Sequence, residues 1–172
     1  MGILLDCNRK SLYNTYHCFA NLNHSQHLEG VRVNLLLVDD SALIREKLEE
    51  RLSKIDKVRV STAGSVGEAL DTIPRLNPDV VILDLHFPDG SGLDVLREIR
   101  KKDSHPVVII FTEVGSPIHR KITLEEGADF FFEKTNGVNA VYDLLQWIAH
   151  NEEKAFPSRR ANLRRSFPPP RS

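Results

Sequence analysis

The chain has 172 residues and a formal net charge of -1, with 41% hydrophobic and 27% charged residues. This length fits one ordinary domain with terminal segments, and the composition is typical of a globular protein that is either an enzyme or a binding module. No apolar run approaches the roughly 18 residues of a membrane span, and Ile3-Leu4-Leu5 is too short for a signal peptide. We therefore expect a cytoplasmic protein without a membrane anchor.

Residues 1–30 are predicted to form a weakly structured extension. Leu12, Tyr16 and Phe19 have roughly helical spacing, which indicates a short helix at most. Cys7 and Cys18 lie near three histidines, but their spacing matches no common zinc motif. Free thiols in a reducing compartment are the favoured interpretation, with a zinc site as its alternative.

Five short runs are predicted to be the strands of a parallel sheet. They are rich in β-branched or aromatic residues and mostly apolar without alternation, as in strands that are covered on both faces. The runs are Val33–Val38, Val58–Ala63, Val80–Leu83, Val107–Phe111 and Phe130–Phe132.

The segments between these runs have helical spacing. Residues 42–54 carry Ile44, Leu48 and Leu52 on one face, and residues 93–101 and 139–150 show the same kind of apolar stripe. Pro74 is expected to end or bend the second helix about a turn early, whereas Pro117 suits the first turn of the fourth. Alternating strands and helices predict a doubly wound α/β sheet, which binds ligands at the carboxyl ends of its strands.

Polar residues follow four of the predicted strands. Asp39 and Asp40 follow the first strand, Asp84 the third, Thr112 the fourth, and Lys134 comes just after the fifth. Because the carboxyl ends of parallel strands share one edge of the sheet, we expect these side chains to lie close together.

Three clustered carboxylates would repel one another and raise at least one pKa unless a cation lay between them. Mg²⁺ fits best, since it is typically held by one or two carboxylates together with a phosphate. Thr112 and Lys134 supply a hydrogen bond and a positive charge for phosphoryl oxygens. Asp84, on a central strand between the paired acids and these two residues, is the predicted nucleophile.

Each of these residues alone has a purely structural interpretation. Asp39 and Asp40 precede Ser41 and could cap a helix, and Asp84 could cap a turn. Thr112 could be an ordinary strand-end residue and Lys134 a surface charge. Their joint placement at four strand ends is what favours a functional site.

With these motifs the sequence resembles the receiver domains of two-component response regulators, the chemotaxis-regulator-like family. The resemblance covers about residues 31–151. It rests on four segments in the family's order and spacing: LLLVDDSALIREKL, VVILDLHFPDGSGLDVLREI, VVIIFTE and FFFEK. It implies a flavodoxin-like five-stranded sheet of order 2-1-3-4-5, in a receiver domain spanning residues 31–153.

The resemblance also implies residue roles. Asp84 would accept a phosphoryl group from a phosphohistidine on a sensor histidine kinase or a phosphotransfer protein. Mg²⁺ would be held by Asp40, Asp84 and the backbone carbonyl of His86, with Asp39 acting largely through water.

Thr112 and Lys134 would bind the phosphoryl oxygens, and Phe131 would change rotamer as Thr112 moves. Phosphorylation would rearrange the face formed by the fourth helix, fifth strand and fifth helix. This face would bind a downstream protein or support a phosphorylation-dependent homodimer. The domain itself would be no enzyme beyond its own phosphoryl transfer and slow autodephosphorylation.

Three positions depart from the family pattern. Glu113 stands where a small residue is usual, so it is expected to narrow the site and repel phosphoryl anions. Thr135 stands where proline is common, so the cis peptide often found there is not expected. The His86 ring either tunes the lifetime of the phosphate or is solvated without a special role.

Residues 154–172 carry six basic residues, four prolines and no acid, and are predicted to be a disordered tail. With no DNA-binding domain after the fifth helix, the sequence is interpreted as a stand-alone receiver. One alternative is an aspartyl phosphohydrolase of the haloacid dehalogenase type, although His86 stands where those enzymes have a second aspartate. Others are a nucleic-acid-binding tail and a receiver-like module with hindered phosphorylation that acts mainly by binding, through its N-terminal extension.

Overall fold

The protein is described here by a computed structural model, which covers residues 33–101, 106–113 and 115–151. The predictions made for the N-terminal extension, its cysteines and histidines, and the basic tail lie outside these residues.

The described residues contain seven strands and five helices. In order they are β1 (Val33–Val38), α1 (Ala42–Leu52), β2 (Val58–Ala63), α2 (Val66–Leu76), β3 (Val80–Leu83), β4 (His86–Phe87), β5 (Gly90–Ser91), α3 (Gly92–Arg100), β6 (Val107–Thr112), α4 (Pro117–Glu125), β7 (Phe130–Glu133) and α5 (Val138–His150).

Five of the strands form a parallel sheet in the order β2-β1-β3-β6-β7. This order confirms the predicted doubly wound α/β topology, in which the chain first winds to one side of β1 and then to the other. The sequence did not predict β4 and β5, which pair antiparallel as a small separate hairpin directly after β3.

The sheet is covered on both faces, and its strand residues alternate between two apolar cores. One core packs β-strand residues such as Leu35 and Ile109 against α1 and α5. The other packs residues such as Leu36 and Ile110 against α2 and α3, with Leu124 of α4 at its border. All six residues of β6 are buried, which is why this strand shows no polar alternation.

Serine side chains begin four of the helices. Ser41, Ser65, Ser91 and Ser116 each accept a hydrogen bond from a backbone N–H in the first turn of the helix that follows. Such caps satisfy donors that lack a partner within the helix. Pro117 is the first residue of α4, as predicted.

Pro74 was expected to end or bend α2 about a turn early; the early end was wrong, and the bend stays a prediction. The helix continues to Leu76, and Asn77 ends it in a left-handed conformation at φ 44°, with its N–H bonded to the carbonyl of Ile73. Because Pro74 lies in the last turn, its missing N–H removes a single helical hydrogen bond. The buried side chain of Ile73 holds this turn against the core.

None of the helices in the described part of the chain is both long enough and apolar enough to cross a membrane.

Candidate functional site

The strand ends bring the predicted site residues to one edge of the sheet. Asp84 follows β3 and its N–H bonds to the carbonyl of Val38, while Lys134 follows β7 and its N–H bonds to the carbonyl of Thr112. Asp39 follows β1 in the same way. The backbone ladder therefore extends one residue beyond the strands and fixes where these side chains start.

Lys134 joins two of the carboxylates directly. Its ammonium lies 2.6 Å from Oδ2 of Asp39 and 2.5 Å from Oδ2 of Asp84. The three side chains are 9%, 1% and 6% exposed, respectively. Lys134 is thus a buried, doubly paired cation, and its interpretation as an ordinary surface charge is wrong.

Asp39, Asp40 and Asp84 form a cluster that we call the carboxylate rim. Each offers one oxygen within 4.8 Å of the others, and Asp40 is exposed while the other two are buried. One ammonium cannot neutralise three carboxylates, so the rim keeps an excess of negative charge. Oxygen donors at this spacing fit a hard divalent cation such as Mg²⁺.

Burial and pairing shift the pKa values of two of these groups. Burial raises the pKa of Asp39 above its ordinary value, against the opposing effects of the Lys134 ammonium and the Ser41 N–H. For Lys134, burial favours the neutral form, but hydrogen bonds and charges from Asp39 and Asp84 together outweigh it and raise its pKa. Lys134 therefore remains a cation at neutral pH.

Backbone donors orient the two buried carboxylates. Oδ1 of Asp84 accepts from the N–H of Leu85 at 2.6 Å and of His86 at 3.4 Å, and Oδ1 of Asp39 accepts from the N–H of Ser41 at 3.0 Å. Gly92 packs directly on the Asp84 backbone, and a β-carbon there would collide with its carbonyl oxygen. The glycine after Ser91 is therefore needed for close packing of this loop.

A cavity of about 410 Å³ opens onto the carboxylate rim. It gives a phosphoryl-sized group access to Asp84 from solvent. Its lining consists of Asp40, Ser41, Ile44, Asp84, His86, Phe87, Pro88, Glu113 and Lys134. Glu113 is exposed and adds a further negative charge to this entrance.

Thr112 is fully buried and lies beside a pair of histidines. Its hydroxyl is 3.5 Å from Nδ1 of His86, and the His86 ring contacts the ring of His119 edge to face, with centroids 6.0 Å apart. Nδ1 of His119 lies 3.1 Å from the Ser116 hydroxyl. The His86 ring therefore has neighbours and does not extend into solvent alone.

Phe131, the predicted switch residue, points into the core and is only 4% exposed. The guanidinium of Arg120 on α4 lies 5.5 Å from the centre of its ring and donates weakly to its carbonyl at 3.4 Å. A movement of α4 would therefore disturb the surroundings of Phe131 directly.

The structure thus brings all predicted site residues to one edge of the sheet, with Phe131 buried beneath it. Sequence reasoning missed His119 and Arg120, which lie in the first turn of α4, and Ser116, which caps that helix. Their position near the site could have been predicted, because the helix that follows β6 must begin at this same edge and Pro117 marked its first turn. Side-chain direction on that turn could not be read from spacing.

The fold and the site define the class of the protein: a flavodoxin-like α/β domain with acidic residues at the carboxyl edge of its sheet. Residues 35–146 match the family described as the response regulator receiver domain. This match spans well over half of the chain, which therefore belongs to the response regulator receiver family of two-component signalling.

Curated relatives agree with this assignment. The chain is 45% identical over 100 residues to ycf27 of Guillardia theta, a probable transcriptional regulator, covering 58% of this chain and 39% of the relative. It is 37% identical over 142 residues to protein-glutamate methylesterase/protein-glutamine glutaminase 1 of Cupriavidus metallidurans, covering 80% of this chain and 39% of the relative. The matches thus span less than half of the length of either relative.

Solved structures show the same fold. A response regulator receiver domain protein from Clostridium thermocellum aligns with a TM-score of 0.62 at 32% identity, covering 71% of this chain and 97% of that structure. The response regulator domain of Thermotoga maritima CheB aligns with a TM-score of 0.62 at 26% identity, covering 73% and 99%.

Proposed function

We propose that Asp84 is a phosphoacceptor, which takes a phosphoryl group from a phosphohistidine of a sensor histidine kinase or phosphotransfer protein. The domain would then switch its binding to a downstream protein. The observation that carries this proposal is the placement of the Lys134 ammonium 2.5 Å from the Asp84 carboxylate, at the wall of an open cavity. The proposed nucleophile and the cation that its phosphoryl product would require are therefore already in contact.

The donor set also fits Mg²⁺. Asp40 and Asp84, with the backbone carbonyl of His86, would hold the ion, and Asp39 would act on it largely through water. When bound, Mg²⁺ would neutralise phosphoryl oxygens and so reduce the repulsion between the donor and the carboxylate rim. Its predicted place is supported by the three rim oxygens within 4.8 Å of one another.

The chain's own residues would perform the remaining steps. A carboxylate oxygen of Asp84 attacks phosphorus, the P–N bond of the phosphohistidine breaks, and the imidazole leaves with the bonding pair and takes a proton. The N–H groups of Leu85 and His86 hold the carboxylate in orientation during the attack. Lys134 and the Thr112 hydroxyl would then bind oxygens of the product.

Switching would follow from the move of Thr112 toward the new phosphoryl oxygen. This move would take its hydroxyl away from His86 and open space near Phe131 beneath it. Because Arg120 contacts both the ring and the carbonyl of Phe131, α4 would shift with it. The face formed by α4, β7 and α5 would change, which biases a two-state element that already exists. A phosphorylation-dependent homodimer through this face remains a prediction.

Labelling with acetyl phosphate tests the phosphoacceptor. In the presence of Mg²⁺ the full chain should take up close to one phosphoryl group, and Asp84→Ala should take up none. Asp71→Ala, an exposed acid on α2, is the matched control and should be labelled normally. Labelling that survives in Asp84→Ala would overturn the assignment.

Spectra with Mg²⁺ and beryllofluoride, a mimic of the phosphoryl group, test the switch. The NMR resonances of Thr112, Phe131 and α4 should shift in the wild type and stay unchanged in Asp84→Ala. A wild-type protein that binds beryllofluoride without a shift at Phe131 would exclude this switching route.

Two alternatives make different predictions. Hindered phosphorylation has one specific observation in its favour, the exposed acid Glu113 at the cavity entrance, and it predicts partner binding without labelling. A haloacid dehalogenase-type phosphohydrolase would need a second aspartate where His86 lies, and it predicts turnover of a small phosphate ester. Stoichiometric labelling without turnover would exclude both.

A further inference from the structure

The imidazole rings of His86 and His119, which we call the histidine pair, have no role in the phosphoryl chemistry proposed for the carboxylate rim. His86 comes from β4, in the loop that follows Asp84, and His119 from the first turn of α4. The two rings therefore connect two segments that the backbone does not hold together at this point.

Both rings have one nitrogen engaged and one free. Nδ1 of His86 lies 3.5 Å from the Thr112 hydroxyl, and Nδ1 of His119 lies 3.1 Å from the Ser116 hydroxyl. Neither Nε2 has a hydrogen-bond partner among the residues that the structure describes. Metal-binding histidines commonly have this arrangement, with one ring nitrogen held by an outer polar group and the other directed to the ion.

The distance between the rings also fits a shared ion. A tetrahedral ion with Zn–N bonds of about 2.0 to 2.1 Å places the centres of two ligand imidazoles about 5 to 6 Å apart. The observed centroid separation is 6.0 Å. The rings are at 83° to each other, so the two side chains would rotate for both Nε2 atoms to face one ion.

We propose that the imidazole rings of His86 and His119 form a binding site for a borderline transition-metal ion such as Zn²⁺ or Cu²⁺, with ligand atoms different from those of the proposed magnesium site. Imidazole nitrogen suits these ions, whereas Mg²⁺ prefers oxygen, so the two sites select different metals. Water would complete the coordination, since the two rings and the Glu113 carboxylate do not form a group of three converging ligand atoms in this structure. The unphosphorylated protein already has both rings in place, so the site does not need phosphorylation of Asp84 to form.

Such an ion would cross-link the loop after β3 to the start of α4. It would hold the His86 ring against Thr112 and restrain the N-terminal end of the helix that carries Arg120. The bound metal would therefore favour the arrangement of α4 seen in this structure. Its removal would release the helix.

Copper titration of the full chain in saturating Mg²⁺ tests the site, because Mg²⁺ occupies the oxygen ligands of the carboxylate rim. The electron paramagnetic resonance spectrum should show coupling to two imidazole nitrogens. His86→Gln and His119→Gln should each weaken Cu²⁺ binding by roughly tenfold or more, since even outer-shell partners of metal ligands cost roughly 10- to 100-fold. His150→Gln, a histidine at the exposed end of α5, is the matched control and should bind as the wild type does.

Unchanged affinity and an unchanged two-nitrogen spectrum in the double variant would overturn the proposal, because the ion would then be held elsewhere in the chain. A second measurement avoids dependence on the folding of the variants. In the wild type, addition of Zn²⁺ should shift the Nε2 resonances of His86 and His119 together. Zn²⁺ that leaves both resonances unmoved would equally refute the site.

Discussion

Removal of the Lys134 ammonium should affect both the stability and the chemistry of the rim. Lys134→Met leaves Asp39 and Asp84 buried without their cation, and the loss of one partner from a buried ion pair is strongly destabilising. We expect the free energy of unfolding at neutral pH to fall by about 3 kcal/mol, at the lower end of such effects because the cavity admits water. Urea denaturation in the absence of divalent cations measures it.

A lysine on the surface provides the contrast. Lys101→Met removes an exposed pair with Glu98 and should cost less than about 1 kcal/mol. Equal losses in the two variants would mean that Lys134 contributes no more than a surface charge. Mg²⁺ should restore part of the stability of Lys134→Met, since the ion would supply the missing positive charge. The difference in stability between Lys101→Met and the wild type should be the same with and without Mg²⁺.

Glu113 should act on the rate of phosphorylation and hardly on the fold. It is exposed at the cavity entrance, where its charge repels anionic phosphoryl donors. Glu113→Ala should speed initial labelling by acetyl phosphate several-fold at low ionic strength, and salt should reduce this gain because it screens exposed charges. Glu125→Ala, at the far end of α4, should leave the rate unchanged. A rate in Glu113→Ala that matches the wild type would show that Glu113 is no hindrance.

At the scale of elements, Asp89 ties the hairpin of β4 and β5 to the start of α2. Its two carboxylate oxygens accept from the N–H groups of Val66 and Gly67, each at 3.2 Å. The hydrogen bond from Gly67, followed by that from Val66, holds the pKa of Asp89 below its ordinary value of 3.8. The folded protein therefore favours the charged form more than the unfolded chain does.

The pH dependence follows from this direction. The contribution of Asp89 is fully present above pH 3.8 and is lost as the pH falls through its lower folded-state pKa. Asp89→Asn should therefore melt at a lower temperature than the wild type near neutral pH, and the difference should shrink in acid. Measuring the thermal unfolding of both proteins from neutral to acid pH tests this difference. A difference that stays constant with pH would mean that the charge of Asp89 is irrelevant.

Arg100, at the C-terminal end of α3, contacts the segment that precedes β6 and the segment that follows α4. Its guanidinium donates to the carbonyls of Gly127 and Pro106 and to the Asp129 carboxylate, each at 3.0 Å. The Arg100 and Asp129 side chains are only 11% and 7% exposed. This contact holds the segment that follows the C-terminal end of α4, so the proposed switching movement would be confined to the N-terminal end of that helix.

Arg100→Met should lower the free energy of unfolding by about 3 to 5 kcal/mol, because it leaves Asp129 buried without this cation. Arg97, on the same helix, pairs with Glu126 at the surface, and Arg97→Met should cost less than about 1 kcal/mol. Chemical denaturation of both variants gives the comparison. Similar small losses in both would show that the Arg100 contacts are not stabilising.

At the scale of the whole molecule, the sheet and its acidic edge could be predicted because they depend on local patterns. Continuous apolar runs mark doubly covered strands, and parallel topology then forces Asp39, Asp84 and Lys134 to one edge. The histidine pair and the Arg100 contacts could not be predicted, because they join side chains far apart in sequence whose directions no periodicity specifies. The predicted early end of α2 at Pro74 was wrong for a related reason, since packing of the last turn outweighs one lost hydrogen bond.

The charge balance of the rim predicts a response of the entire domain to divalent cations. An ion that binds only the folded state at 100 times its dissociation constant stabilises that state by about 2.7 kcal/mol. For a domain of this size, Mg²⁺ should therefore raise the midpoint of thermal unfolding by roughly 5 to 10 °C.

Asp40→Asn distinguishes relief of the repulsion between the three carboxylates from binding of Mg²⁺. It removes one of three like charges, so the variant should be at least as stable as the wild type without Mg²⁺, yet its gain on adding Mg²⁺ should be much smaller. Asp143→Asn, which removes an exposed acid on α5, should keep the full gain. Calorimetry of the three proteins with and without Mg²⁺ decides the matter. An equal gain in all three would place the stabilising ion outside the carboxylate rim.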